Sequence, residues 1–156
     1  MTNQPKFAKF IATAATATLV ASAIVPVASA AASFPDVADN NSHAKNINAL
    51  VEAGIIKGYE DGTFKPNAEL TRGHVVKMLG KWVEKQGFEL PADWNTVQRF
   101  DDVAVDAKDQ ELVKYAALVK EAGVFNGSNG ELNAAANITR ENMALTLDRA
   151  YKAVFG

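Results

Sequence analysis

The sequence predicts an all-α fold made of two tandem helix–loop–helix repeats that pack on each other. Two stretches, 34–72 and 100–140, carry the same landmarks in the same order: Phe-x-Asp-Val, then Glu-Ala-Gly, then Thr-Arg. Apolar residues recur at helical spacing before the loop and after it in both stretches. Because the same motifs recur in the same order, with one residue missing from the second loop, the two stretches form an internal repeat. The helical spacing predicts that each repeat consists of α-helices.

The first element in chain order is a predicted secretory signal peptide over 1–30. Two lysines precede an uncharged run over 10–32, and small residues at 28–30 suit cleavage after Ala30. A membrane anchor is the alternative for such a run, but its alanine and threonine content and Pro26 favour a cleaved signal. We therefore expect a secreted protein with no membrane partner after cleavage.

The composition is that of an ordinary globular protein. The 156 residues are 48% hydrophobic and 22% charged, and removal of 1–30 leaves 14 basic and 18 acidic residues, a net charge of −4. The absence of a basic excess argues against nucleic acid as a partner. Because the chain has no cysteine, it has no disulfide despite its predicted export, and packing alone has to stabilise it.

The first repeat is expected over 31–87. Its opening helix is expected to be capped by Asn41 or Ser42 and to end at Gly54. Turn residues at 61–62 and 66 mark the loop, and a second helix follows Thr71 and ends near Gly87. The predicted apolar stripes of the two helices are Ala44, Ile47, Leu50 and Val51, then Val75, Leu79, Trp82 and Val83.

The second repeat is expected over 100–156, after a linker at 88–99. Its predicted stripes are Leu112, Tyr115, Ala116 and Val119, then Met143, Leu147, Ala150, Tyr151 and Val154. The loops align as Gly54 with Gly123, Gly58 with Gly127, Gly62 with Gly130 and Phe64 with Leu132. Because a unit of about 50 residues buries little apolar surface alone, the two should pack together, with Phe34 and Phe100 as plugs between them.

Residues for catalysis, cofactor binding or metal binding are hard to find. The two histidines lie in different repeats, and there is no Gly-x-Ser-x-Gly elbow, cysteine nucleophile, phosphate loop or ordinary zinc spacing. We therefore predict no enzyme, no cofactor and no metal. Calcium is the remaining rival, because acids cluster at 101–111, although they lack the spacing of an EF-hand loop. A calcium-dependent adhesion module or a fragment of a wall hydrolase are thus the alternative functions.

The two Thr-Arg pairs are the candidate binding residues. Thr71 and Thr139 are predicted N-caps, but each is followed by an arginine, and a cation at a helix N-terminus costs up to about 1 kcal/mol. Two accounts explain Arg72 and Arg140. Each arginine pairs with a carboxylate of its own or the neighbouring repeat, or each binds an external anion beside free helix N–H groups.

Asp36 and Asp102, in the Phe-x-Asp-Val segments, are the carboxylates best placed in the sequence to orient these arginines. The residues alone leave the internal ion pair and the external anion equally open.

These motifs resemble the S-layer homology (SLH) domain family. The first repeat carries "FPDV" (34–37), "GIIKGYEDGTFKP" (54–66) and "LTR" (70–72), and the second carries "FDDV" (100–103), "GVFNGSNGEL" (123–132) and "ITRE" (138–141). Together they cover nearly the whole mature chain. The family's Thr-Arg-Ala-Glu motif becomes Thr-Arg-Gly-His in the first repeat and Thr-Arg-Glu-Asn in the second, whose loop also lacks the Tyr, Thr and Pro of the first.

The resemblance implies a bacterial surface protein held on the cell wall, at the S-layer, through a secondary cell-wall polysaccharide or a peptidoglycan-linked glycan. It implies grooves between repeats in a pseudo-threefold arrangement, and an anionic glycan, often with a pyruvate ketal whose carboxylate suits Arg72 and Arg140. By the same resemblance Asp36 and Asp102 help line the grooves, and Gly58 and Gly127 permit close approach. Since the family usually has three repeats and this chain has two, we expect a piece of a longer protein with a further SLH repeat, or self-association.

Overall fold

The computed structural model describes residues 34–156 and contains four α-helices in that range. They are α1 (Ala44–Glu52), α2 (Arg72–Lys85), α3 (Gln110–Glu121) and α4 (Arg140–Phe155). Backbone pairing between extended segments in this range is limited to three isolated bridges, so the all-α class with two helix–loop–helix units is confirmed. The predicted signal peptide lies outside the described residues. None of these four helices has the length and apolar character that a membrane span requires.

Side-chain caps set where most of the helices begin. The hydroxyls of Thr71 and Thr139 accept the N–H groups of His74 and Asn142, each at 3.2 Å, as the sequence predicts. Asp109 caps α3 in the same way. The cap of α1 differs from expectation, because its N-cap is His43 and Asn41 instead accepts the N–H of His43.

Both opening helices end at a glycine in the left-handed region. Gly54 has φ of 67° and Gly123 has φ of 69°, a conformation that costs a residue with a Cβ about 1 kcal/mol or more. The N–H of each glycine bonds back to the last turn of its helix. The chain therefore leaves both helices in the same direction and enters equivalent loops.

The core forms where α2 of the first repeat meets α3 of the second. Val76 and Val83 of α2 are fully buried against the second repeat, whose α3 buries Val113 and the five consecutive residues 115–119. Gly80 lets the helices approach closely, since a Cβ there would lie 2.6 Å from the ring of Tyr115. At the edge of this contact, the Tyr115 hydroxyl donates to Glu84 at 2.9 Å.

The fourth helix is less buried than its sequence predicts. Only Thr146 and Ala150 are buried, whereas Leu147 and Tyr151, two predicted core positions, are 50% and 64% exposed. The repeat explains the difference, because α2 has α3 packed across the equivalent face and α4 has no such helix within residues 34–156. Amphipathic spacing predicts that a helix has an apolar face, but it does not show whether another helix covers that face.

The two phenylalanines of the Phe-x-Asp-Val segments both lie against a glycine of their own repeat. Phe34 packs on Phe64 with ring centroids 5.2 Å apart, and both Phe34 and Phe100 lie against the glycine of their own loop. Phe100 is fully buried, and Phe34 is half-buried. The expectation that they plug the space between repeats is therefore wrong for Phe34, which lies within the first repeat.

We predict that Gly80→Ala destabilises the protein although it improves helix propensity. Alanine should favour an exposed helix by about 1 kcal/mol. Here its Cβ collides with Tyr115, and overpacking of this kind costs about 1–3 kcal/mol. Urea unfolding should show a net loss of stability, and a gain would contradict the tight α2–α3 contact. Asp148→Ala, at the equivalent exposed position of α4, is the control and should change stability by about 0.5 kcal/mol or less.

Candidate functional site

The candidate site lies at the junction between the repeats, where α2 begins. Residues 70–72 run antiparallel to residues 136–138 of the second repeat, through a bridge between Thr71 and Asn137. The N–H of Ile138 donates to the carbonyl of Leu70 at 3.0 Å, and the N–H of Arg72 donates to the carbonyl of Ala136 at 2.8 Å. The start of α2 is thus attached to the neighbouring repeat by backbone hydrogen bonds.

The backbone N–H groups at the start of α2, which the sequence analysis considered as an anion-binding site, are already hydrogen-bonded within the protein. Besides the N–H of Arg72, that of Gly73 donates to the carbonyl of Ala134 at 2.9 Å, and that of His74 donates to the Thr71 hydroxyl. The expectation of free N–H groups at the start of α2 is therefore wrong. An anion at this junction has to be bound by side chains.

The Arg72 side chain is held in place by the second repeat. Its Nε donates to the carbonyl of Leu132 at 2.6 Å, and its guanidinium lies over the ring of Phe125, 4.9 Å from the centroid. Within residues 34–156 its two terminal nitrogens have no hydrogen-bond or ion-pair partner. Arg72 is partly buried, and in the partly buried residues of that range every side-chain nitrogen without a hydrogen-bond partner is accessible to solvent. The two terminal nitrogens of Arg72 therefore reach solvent. The guanidinium is fixed at one end and open at the other.

Asp36 and Asp102 hold the loops and make no contact with the arginines. Asp36 accepts the N–H groups of Phe64 and Lys65 at 2.9 and 2.6 Å. Asp102 accepts those of Leu132 and Asn133, both at 2.7 Å.

In each loop, the second of the two residues that donate to the aspartate has a left-handed backbone conformation, with φ of 56° at both Lys65 and Asn133. Each carboxylate thus fixes a strained turn, and the hypothesis that it pairs with an arginine is wrong. Asp102 supports Arg72 only indirectly, through the residue whose carbonyl Arg72 binds.

The two glycines assigned to close approach do approach other atoms closely, but within their own repeats. A Cβ on Gly58 would collide with Phe34 and lie 2.6 Å from the carbonyl of Thr63. A Cβ on Gly127 would collide with the carbonyl of Glu131 and with Phe100. Gly58 also lines the groove described below, so its role in binding a ligand stays a prediction.

The second Thr-Arg pair is built differently from the first. Thr139 caps α4, but Arg140 is exposed, and its side chain forms no hydrogen bond, ion pair or cation–π contact within residues 34–156. Nothing in residues 34–156 corresponds to the Leu132 carbonyl and the Phe125 ring that fix Arg72. The two arginines therefore share a sequence position but not an environment.

An open groove of about 1080 Å³ separates the first loop and α2 from the start of α3. Gly58, Tyr59 and His74 are among the residues that line it. Five lysines and four acids also line it: Lys57, Lys65, Lys77, Lys81, Lys108, Glu60, Asp61, Asp109 and Glu111. Sequence reasoning missed this cluster because its members come from three separate segments.

Ion pairs across the groove fix most of these charges. Lys77 pairs with Asp109 at 2.8 Å, and Lys81, whose side chain is 14% exposed, pairs with Glu111 at 2.7 Å. Burial works against ionisation of both acids, but their lysine partners outweigh it and lower the pKa of each. These pairs join α2 to α3 and leave little net charge in this part of the groove.

The first loop adds a second set of fixed charges. A hydrogen bond from the Thr63 hydroxyl, reinforced by its N–H, lowers the pKa of Asp61 to about 2. Hydrogen bonds from Phe64 and Lys65 likewise lower the pKa of Asp36. Lys65 pairs with Asp61 at 3.0 Å and lies over the Tyr59 ring, 4.1 Å from the centroid. Asp36 and Asp61 are therefore ionised at neutral pH.

The acids that suggested calcium do not come together in the described part of the chain. Residues 34–156 contain no group of three or more His, Asp or Glu side chains placed to hold a metal ion. The acids that suggested calcium do other work, since Asp102 holds a loop and Asp109 caps α3.

Comparison with known proteins finds a matching family model and relatives among bacterial surface proteins. Residues 33–76 match the S-layer homology domain. The chain is 35% identical over 152 residues to S-layer protein sap of Bacillus anthracis, which covers 97% of this chain and 18% of that protein. It is 36% identical over 154 residues to the surface-layer 125 kDa protein of Lysinibacillus sphaericus, covering 97% of this chain and 12% of the relative.

A more distant relative is the cellulosome-anchoring protein of Acetivibrio thermocellus, 27% identical over 121 residues, which is 75% of this chain and 25% of that protein. The chain therefore spans a quarter or less of the length of these three relatives, whose names describe surface-layer and anchoring proteins.

We predict that Asp102→Asn destabilises the protein by about 1–3 kcal/mol. The amide keeps the shape but has a single acceptor oxygen, so one of two charge-assisted hydrogen bonds to the loop is lost. Chemical denaturation measures the change. Asp106→Asn is the matched control, because Asp106 is exposed and accepts no hydrogen bond from residues 34–156, and it should leave stability unchanged. Equal effects of the two substitutions would contradict the role of Asp102.

Proposed function

Since residues 33–76 match the S-layer homology domain, we propose that the chain belongs to a surface-layer protein of the bacterial cell wall and binds an anionic wall polysaccharide through the junction between its repeats. The relatives support anchoring of surface proteins to the wall. The finer proposal is that Arg72 binds a carboxylate of the glycan, such as that of a pyruvate ketal.

The observation that carries this proposal is the half-fixed guanidinium of Arg72. One of its five N–H donors bonds to Leu132, and the ring of Phe125 fixes the plane. The four remaining donors form the fork that a carboxylate or phosphate accepts bidentately. Because an arginine side chain carries about 2 kcal/mol of rotamer entropy, holding it before the ligand arrives reduces the cost of binding.

The groove supplies the space and the surroundings for a sugar chain. It is open and shallow enough for a polymer to lie in, and its walls come from both repeats. Tyr59 offers a half-exposed aromatic ring, Lys65 is an exposed cation over that ring, and Lys108 is an exposed cation elsewhere in the groove lining. His74 belongs to the groove lining, and Arg72, two residues before it, lies at the junction between the repeats outside that lining.

The second repeat contributes less in this proposal. Arg140 lacks the contacts that fix Arg72, so it would have to order its side chain when it binds. Thr71 and Thr139 act as caps that position the arginines, and Asp36, Asp102, Gly58 and Gly127 act by shaping the loops. We therefore place the principal contact at Arg72.

Co-sedimentation with purified wall sacculi tests the proposal. Arg72→Gln removes the charge and the fork, so the dissociation constant should rise about tenfold or more, because a charge-assisted hydrogen bond contributes about 1.5–3 kcal/mol. Arg72→Lys keeps the charge without the fork and should fall between Arg72→Gln and the parent protein. Arg140→Gln should have a smaller effect than Arg72→Gln.

Controls separate binding from folding and identify the anion. Arg72→Gln also loses the bond to Leu132, so its thermal unfolding must be measured and its binding compared at a temperature where it is folded. Sacculi treated with mild acid, which hydrolyses a ketal, should bind less if a pyruvate ketal supplies the carboxylate. Unchanged binding by folded Arg72→Gln, or to sacculi stripped of polysaccharide, contradicts the proposal. Loss of binding with a calcium chelator would point to an adhesion module instead.

A further inference from the structure

His74 lines the groove without being used by the fold. Its backbone N–H bonds to Thr71, but its ring nitrogens make no hydrogen bond within residues 34–156. The ring is half-buried and meets the Tyr59 ring edge-on, with centroids 6.2 Å apart. In the described residues that are not exposed, every side-chain nitrogen without a hydrogen-bond partner is accessible to solvent. The ring nitrogens of His74 therefore reach the solvent of the groove.

The charges around His74 are already matched in pairs. On its own helix lie Lys77 and Lys81, which pair with Asp109 and Glu111 of the facing segment. On the loop side, Lys65 pairs with Asp61, and Tyr59 supplies the ring. The remaining charged groups of the groove are Lys57, which also reaches Glu111 at 3.4 Å, Lys108 and Glu60.

Histidine is the side-chain type whose charge ordinarily changes between about pH 5 and 8, and His74 is the histidine of the groove lining. A proton on His74 therefore adds a cation to the groove, and the nearby Asp109 is already paired with Lys77.

We propose that His74 is a conditional anion-binding residue of the groove, which is neutral when the groove is empty near neutral pH and protonated when an acidic glycan occupies it. This inference rests on the proposed function and adds a residue and a pH dependence to it. The charged imidazolium, lying between the aromatic wall and the paired lysines, would donate to a carboxylate or phosphate of the glycan.

The environment favours the neutral form before the ligand arrives. Burial lowers the pKa of His74, Lys77 lowers it further, and Asp109 opposes them only in part. A ligand anion within about 4–6 Å would raise the pKa again. Because a group that gains a proton on binding makes the affinity rise as the pH falls, each unit of that rise in the pKa corresponds to a factor of up to about ten in affinity.

The test compares binding to purified sacculi at pH 5.5 and pH 8.0 for three proteins. The parent protein should bind several-fold to about tenfold more tightly at pH 5.5. His74→Gln should lose that difference and bind at both pH values as the parent protein does at pH 8.0. His43→Gln is the matched control, because His43, the second histidine of the chain, is exposed and lies outside the groove, and it should keep the difference.

A second measurement does not depend on a variant. NMR titration of the His74 ring signals should give a pKa that rises when polysaccharide released from the sacculi is added. A pKa that does not rise, or a pH dependence retained by His74→Gln, overturns the inference. Failure of the proposed function gives a different result, since Arg72→Gln would then bind like the parent protein at both pH values.

Discussion

The rest of the structure depends on how the start of α2 pairs with the backbone of the second repeat. The hydrogen bonds that join residues 70–73 to residues 134–138 settle three things together. They satisfy the donors of the first turn of the helix, they set the register of one repeat on the other, and they bring Arg72 to the carbonyl of Leu132. The loop that supplies these carbonyls is in turn held by Asp102. A carboxylate in one segment thereby determines where a cation of another repeat can point.

The groove follows from the same docking. Once α2 lies along α3, the lysines of α2 face the acids at the start of α3, and their ion pairs close the lower part of the groove. Partly exposed pairs of this kind contribute little to stability individually, about 0–1 kcal/mol. Their larger effect is to pair most of the charges of the groove, so that His74 and Lys108 are left to contribute charge within it, while Arg72 contributes charge at the junction between the repeats.

The sequence predicted the repeats, the helix class and the threonine caps, because these depend on local spacing and on punctuation by glycine and threonine. It also singled out Arg72 as a candidate binding residue, because a cation at a helix N-terminus is unfavourable and needs an explanation. It could not predict that the neighbouring repeat occupies the free N–H groups, nor that Asp102 holds Leu132 and Asn133, because both contacts join residues 30 to 65 positions apart. The exposure of Leu147 and Tyr151 was missed for a related reason, since periodicity shows an apolar face but not its partner.

The dependence of α2 on the second repeat has a consequence for the order in which the protein can form. Synthesis delivers the chain from its N-terminus, so Val76 and Val83 exist before α3, which buries them, and before the loop that supplies carbonyls to Arg72 and Gly73. Until residue 138 has been made, the first repeat has an uncovered apolar helix with unpaired donors at its start. We therefore expect that the first repeat does not reach its final structure alone. A nascent or truncated chain that stops before α3 should expose an aggregation-prone, protease-sensitive helix.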